Sequence, residues 1–312
     1  MFKLWYRRLS FNSRKIGEVV KNRLRLALQK KGRLSDESLN LLQRCGLKFR
    51  IKPNALLTHV DNFPIDLLFV RDDDIPTLVF DSLCDGGIVG ENVLLEASFN
   101  RPDKAYRKIL ALGSCNCRLS IAVPEAFDYQ GAGSLDGKRI ATSYPNLLNN
   151  YLAERKISAE ILTLSGSVEV APRMGMADVI CDLVSTGQTL EDNKLKEVDT
   201  VLNSQAVFIQ TQRQLDPDIQ ELFAMLARRI QAVQQAQERK YIVFHAPKSA
   251  LERIAQKLPG AESPTILPLP GNNEKVAVHV VSSEGVFWNT LETIQYLGAS
   301  SILVLPIEKM LE

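Results

Sequence analysis

The sequence is poor in cysteine, poorer in histidine, and without a long apolar run. Its five cysteines, Cys45, Cys84, Cys115, Cys117 and Cys181, form an odd, scattered set. That excludes a disulfide framework. Only Cys115 and Cys117 are close-spaced, and no second pair or histidine cluster lies near them to complete a zinc site. The thiols are therefore expected to be reduced and mostly buried, in a cytoplasmic protein. No stretch of about 18 apolar residues occurs, so no transmembrane helix is expected. Also missing is any His/Asp or Cys/His arrangement of the kind that activates a nucleophile.

What is present is ordinary globular material. The 312 residues are 45% hydrophobic and 24% charged, which rules against a disordered or fibrous chain. At roughly 100–200 residues per domain, that length suggests two domains. Charge is unevenly placed. Residues 1–22 carry Lys3, Arg7, Arg8, Arg14, Lys15 and Lys21 against Glu18, a net +5, whereas the whole chain sums to +2. The rest is thus slightly acidic at −3, and a nucleic-acid surface is not indicated. The tail lacks an apolar core of the secretory kind. Its Leu4, Trp5, Tyr6 and Phe11 are compatible with a membrane or nucleic-acid contact, and equally with a mobile extension, the simpler reading.

The ordered pattern starts at Leu24–Leu28, which alternates like a strand. Gln29–Arg33 follows as a basic, glycine-bearing loop. Ser35–Ser38 then supplies a helix cap and acidic first turn ahead of Leu39, Leu41, Leu42 and Cys45. Such a loop suits either an anion site or a solvated turn. Ile65–Val70 reads as a second strand, running into Arg71-Asp72-Asp73-Asp74-Ile75-Pro76. The three aspartates suit a metal cluster or a helix start, and Pro76 favours the helix start for Asp73 and Asp74. Asp85–Asn92 reads as a short buried strand ended by glycine. Strands alternating with helices predict a mostly parallel sheet.

A second unit of the same kind opens at Arg118–Pro124. It continues through Lys138–Ser143, a helix at about 145–155, and Glu160–Leu164. Then Asp178–Val184 forms a β-rich strand that delivers Ser185-Thr186-Gly187-Gln188-Thr189 into a helix start. Small hydroxyl residues and a glycine let backbone N–H groups close on a phosphate, although such a junction alone also reads as a plain turn. Asp182 lies near this loop and is placed to hold ribose hydroxyls. Asp178, four residues earlier and on the same side of the strand, has a structural role as its alternative reading.

The run Glu169–Leu190 closely resembles the signature of ATP phosphoribosyltransferase, the enzyme of the first step of histidine biosynthesis. The resemblance extends to Gln29–Asp36, Val70–Pro76, Gly90-Glu91-Asn92 and Ala141–Pro145, and covers about residues 23–312. It implies an α/β fold: a two-lobed, periplasmic-binding-protein-like catalytic region at 23–240, its second lobe about 118–198. It also implies transfer of the phosphoribosyl group of phosphoribosyl pyrophosphate to N1 of ATP, with Mg²⁺ leaving on the pyrophosphate. The metal's ligands are not assigned. Glu169, Asp182, Ser185, Thr186, Gly187, Gln188 and Thr189 are implied for phosphoribosyl pyrophosphate. Lys30, Gly32, Arg33, Arg71, Asp72 and Glu91 are implied for nucleotide or pyrophosphate. No general base is needed in principle, since N1 is already a nucleophile.

Residues 241–312 read as βαββαβ, a ferredoxin-like unit without a nucleophile or metal spacing. This part resembles the regulatory domain of the long form of the family, where histidine binds. The resemblance implies effector contacts at His245, Ser263, Thr265 and Ser301, a homo-oligomer of dimers and hexamers, and no separate regulatory subunit. His245 departs from the acidic residue often found there. Neither nucleic acid nor membrane is implied as a partner. A two-lobed binding protein without catalysis, or an inactive regulatory subunit, is the alternative. The intact phosphate loop speaks for the enzyme.

Overall fold

A computed structural model describes residues 23–103, 105–237, 239–258, 264–283 and 288–310. The basic segment 1–22 and Ser263 lie outside the described residues.

Three sheets organise the chain. The first contains β1 (Leu24–Gln29), β2 (Leu57–His59), β3 (Ile65–Val70), β4 (Gly86–Gly90), β5 (Tyr106–Ala111) and β11 (Ala206–Thr211), in the order β2-β3-β1-β4-β11-β5. The second contains β6 (Cys117–Pro124), β7 (Arg139–Thr142), β8 (Glu160–Thr163), β9 (Val179–Val184) and β10 (Leu195–Ser204), in the order β10-β6-β9-β7-β8. The third contains β12 (Arg239–Pro247), β13 (Thr265–Leu269), β14 (Asn272–Ser283) and β15 (Ser300–Pro306), in the order β13-β14-β12-β15. That last order, with every pairing antiparallel, is the ferredoxin-like arrangement.

The helices follow from the strand pattern. In the first lobe, α1 (Arg33–Arg44) follows β1, α2 (Asp74–Phe80) follows β3 and α3 (Glu91–Asn100) follows β4. In the second, α4 (Pro145–Glu154) follows β7 and the short α5 (Gln188–Asp192) follows β9. The long α6 (Pro217–Gln237) returns along the first lobe, where Phe223 stacks on Phe208 with ring centroids 4.8 Å apart. In the third unit, α7 (Leu251–Ala255) and α8 (Trp288–Tyr296) cover one face of the sheet.

Two sequence expectations need correction. The first two sheets are mixed, not mostly parallel. β1 pairs β3 and β4 in parallel, but β11 runs antiparallel to both β4 and β5, and β6 runs antiparallel to β9 and β10. The cause is the double crossing: the chain leaves the first lobe after β5 and re-enters it as β11, so the returning strand points the other way. The sequence reading did not find β2, β5, β10 or β11. α1 also begins at Arg33, with Gly32 as its cap at φ 101°, rather than near Ser35. Ser35 and Ser38 are instead buried within the helix.

Gly86 shows why the centre of the first sheet holds glycines. A Cβ there would stand 2.5 Å from the Ile209 carbonyl oxygen and 2.6 Å from a Phe223 ring carbon. The sheet and α6 therefore close to a distance only a glycine permits.

One carboxylate ties the two lobes together. α4 has no side-chain cap of its own. Glu96 of α3 fills that place from the other lobe: its Oε1 accepts from Asn146 N and its Oε2 from Leu147 N, both at 2.9 Å. Asn146 Nδ2 adds a third bond to Oε1 at 2.8 Å. A carboxylate satisfies the orphan amides of a first turn and complements its dipole. Glu96→Ala should lower stability by about 1–3 kcal/mol, because it strips these amides of their acceptor. Glu96→Gln should lose less. Urea unfolding checks the ranking, and equal stability of Glu96→Ala and wild type would count against the cap.

Candidate active site

Parallel strands put their C-terminal ends on one edge, and the loops that follow them gather there. In the first lobe these loops are Lys30–Gly32 after β1, Arg71–Asp73 after β3 and the Gly90–Glu91 junction after β4. Lys30 N bonds the Val70 carbonyl at 2.8 Å, tying the first two together. In the second lobe they are Ser143–Tyr144 after β7 and Ser185–Gly187 after β9. The two edges meet at Tyr144, whose hydroxyl accepts from Asn92 Nδ2 at 2.9 Å. Asn92 is itself fixed, because its amide N bonds Ser204 Oγ at 3.0 Å and its Oδ1 accepts from the same hydroxyl at 2.8 Å.

The electrostatics identify what faces this junction. Burial pushes the Tyr144 phenol well above its ordinary value. The Asn92 bond opposes that rise, while the charges of Asp182, Asp72 and Asp73 add to it. The Tyr144 phenol therefore feels carboxylates of both lobes. Asp73 is raised by burial and by its neighbours Asp72 and Asp74, with Arg71 opposing. Asp182 is raised mainly by burial and also by Glu169, against the Leu183 amide that its own Oδ1 accepts at 2.8 Å.

Asp182 lies on β9 three residues before the Ser185–Thr189 loop, and the Glu169 charge is felt at Asp182. Gly187 sits at φ 90°, a conformation open to glycine and strained for other residues, and the space where its Cβ would stand is empty to 4 Å. Leu190 N and Glu191 N both return to the Gly187 carbonyl, starting α5. Among the described residues, the amides of Thr186 and Gly187 make no internal bond, so they are free donors.

Other expected residues stand differently. Asp178 is structural: it precedes β9, and its carboxylate accepts from Arg139 N at 2.8 Å, at the far end of the strand from Ser185. Arg33 is exposed and its Nε pairs with Glu37 at 2.8 Å. Glu91 is paired with Lys108. Lys30, Gly32 and Arg71 are exposed, and Asp72 is half-buried. In the third sheet, Thr265 lies opposite His279 and His245 opposite Ala277. This face turns away from the helices, since Ile242, Phe244 and Ala246 are the residues buried beneath them. Ser301 sits at φ 54° where the β12–β15 register shifts. His279, which the sequence reading left without a role, shares this face and bonds the Tyr241 hydroxyl at 2.7 Å.

Sequence reasoning gave no role to Tyr144, Asn92 or Glu96. Tyr144 and Asn92 sit inside stretches singled out as motifs, so a signal existed. Glu96 lies mid-helix with no local signature, and only the fold shows what its carboxylate meets.

Comparison with known proteins shows the family of the chain. A family model described as ATP phosphoribosyltransferase matches residues 71–232, and one described as the HisG C-terminal domain matches residues 236–309. A solved structure of the ATP phosphoribosyl transferase (HisG:HisZ) complex from Thermotoga maritima is 27% identical. It covers 68% of this chain and 98% of its own, with a TM-score of 0.58. The alkanesulfonate-binding protein SsuA from Xanthomonas axonopodis pv. citri is 20% identical, covering 65% of this chain and 71% of its own at a TM-score of 0.41. The arginine-bound form of truncated ArgBP from T. maritima is 10% identical, covering 67% and 94% at a TM-score of 0.43. With both family models together spanning most of its length, the chain belongs to the ATP phosphoribosyltransferase family, in its long form with the C-terminal domain.

Proposed function

We propose that this transferase joins N1 of ATP's adenine to the anomeric carbon of phosphoribosyl pyrophosphate at the junction of the two lobes. What carries the reading is the Ser185–Thr189 loop after β9, whose Thr186 and Gly187 amides make no internal bond, on the edge of the second lobe that meets the first at the Asn92–Tyr144 bond. The loop amides and hydroxyls hold the 5′-phosphate. Asp182 and Glu169 accept from the ribose hydroxyls. The loops of the first lobe, with Lys30, Gly32, Arg33, Arg71, Asp72 and Glu91, take nucleotide and pyrophosphate. As C1–O breaks, the electron pair leaves on pyrophosphate, and the adenine N1 lone pair forms C1–N1. No base need act before attack, so the main tasks are alignment and stabilisation of developing charge.

Mg²⁺ fits this donor set only in part. Among the described residues, no group of three or more His, Cys, Asp or Glu side chains forms a cage. Mg²⁺ in such sites is held by one or two carboxylates together with substrate phosphates. Asp72 and Asp73, adjacent on the loop after β3, would hold it there. Bound, the ion supplies charge neutralisation on the departing pyrophosphate.

The C-terminal unit is proposed to bind histidine on the sheet face of His245 and Thr265, together with Ser301 and Ser263, and to inhibit the enzyme. Dimers and hexamers are the proposed assemblies, without a separate regulatory subunit.

Three measurements test this function. Gly187→Val keeps the protein folded yet projects a side chain into the space proposed for the phosphate, at a backbone angle valine resists. Its kcat/KM for phosphoribosyl pyrophosphate should fall at least about tenfold, the loss of one bond to a charged group. Wild-type kinetics would remove the loop assignment.

Asp182 gives a pH test. Its carboxyl titrates above its ordinary value, so its charged form weakens the fold at neutral pH, and that cost shrinks as pH falls from the raised value and is gone below the ordinary one. Asp182→Asn should therefore raise Tm at pH 7 while weakening phosphoribosyl pyrophosphate binding, and should abolish the acid limb of the binding profile. A variant with an unchanged profile would exclude Asp182 from the substrate.

For regulation, the initial rate is followed against histidine for the full chain and for Thr265→Leu. The full chain should be inhibited, by a coupling of about 1–3 kcal/mol, and the variant should need several-fold more histidine. A full chain indifferent to millimolar histidine would leave the C-terminal unit an assembly domain only.

A further inference from the structure

Arg118 is the second residue of β6, just after the chain crosses from the first lobe. Its Nε and Nη2 fork onto both carboxylate oxygens of Glu197 on β10. Glu197 is in turn braced by the fully buried Ser120, whose hydroxyl donates to its Oε1 at 2.8 Å. A planar guanidinium held at two corners has a fixed third corner. That corner, Nη1, points to the carbonyl oxygen of Ser185 at 3.4 Å.

The target of that contact gives it a meaning. Ser185 C=O and Thr186 N–H belong to one trans peptide, in which the two groups point in opposite directions. A carbonyl drawn back toward Arg118 turns the Thr186 amide outward. That amide has no internal bond among the described residues, and it belongs to the loop read above as the phosphate site.

We infer that Arg118, clamped by Glu197, is a positioning residue for the phosphate loop: it holds the Ser185–Thr186 peptide in the orientation that presents the Thr186 amide to the 5′-phosphate. The inference rests on the proposed function of that loop. Arg118 acts on phosphoribosyl pyrophosphate through the peptide plane, and on ATP not at all. The pair spans β6 and β10, the strands that enter and leave the second lobe, so the loop takes its orientation from the crossing itself.

The test is the affinity of the full chain for phosphoribosyl pyrophosphate with Mg²⁺, and separately for ATP, in wild type, Arg118→Gln, Arg118→Lys and Glu197→Gln. Arg118→Gln and Glu197→Gln are each expected to weaken phosphoribosyl pyrophosphate about tenfold. ATP affinity should stay unchanged, and KM should move more than kcat. Arg118→Lys, which keeps one donor without the fork, should fall between. Should Arg118→Gln fail to fold, Glu197→Gln and Arg118→Lys carry the same ranking. The sign for Glu197→Gln is decisive. If Arg118 served the phosphate as a plain charge, removing its carboxylate partner would tighten binding, and that result overturns the inference. Equal loss of ATP and phosphoribosyl pyrophosphate affinity would reduce the pair to a structural role and also overturn it. A wild-type chain that binds ATP but not phosphoribosyl pyrophosphate would instead remove the loop assignment beneath it.

Discussion

The capping of one lobe's helix by the other lobe's carboxylate is the constraint on which the active site depends. Each lobe brings half of the groups proposed to face substrate: Arg71–Asp73 from one, Asp182 and Ser185–Thr189 from the other. Neither half is useful unless the two edges face each other at a set distance. Glu96 on the α4 amides and Asn92 on the Tyr144 hydroxyl supply that registration at adjacent points. Both begin on α3, which itself starts where β4 ends, so the first sheet controls the placement of the second. Breaking the contact exposes several amides at once, which makes it stronger than an exposed ion pair such as Arg33–Glu37.

The same junction concentrates negative charge. Asp73 and Asp182 are both raised by burial and by neighbouring carboxylates. Without substrate this is an unfavourable arrangement, tolerated because the fold has its stability elsewhere, in the Phe208–Phe223 layer and the buried leucines around it. It is the usual situation at a functional site, where perturbed acids gather because the chemistry needs them.

Much of this was legible from residues alone, and the exceptions share a cause. β1, β3, β4, β7, β8 and β9 announce themselves through apolar runs closed by glycine or polar loops, and the helices that follow through spacing and Pro76 or Pro145. The third unit was legible almost strand for strand. β10, rich in charge and interrupted by bulges near Asp199 and Thr200, gave no clean alternation. β5 and β2 are short or half-exposed, and β11, Ala206–Thr211, is buried throughout, so period-two patterning is absent. At the site, the Ser185–Thr189 loop could be read because its chemistry is local. Glu96 and Arg118 could not, because each acts on a backbone group about 50 or more residues away in sequence.

One feature of the strand order bears on how the chain is made. β11 lies between β4 and β5, yet emerges from synthesis after the entire second lobe. Until it arrives, the seat between β4 and β5 is empty, and β4, nearly all buried in the finished protein, is an open edge with unpaired amides and carbonyls. The first lobe therefore cannot complete its sheet in order of appearance; it waits for a strand separated from β5 by the whole intervening lobe. A nascent chain stalled in that interval presents a sticky, half-built sheet to its surroundings. The crossing that gives the enzyme its two lobes thus also sets the longest vulnerable period of its biogenesis.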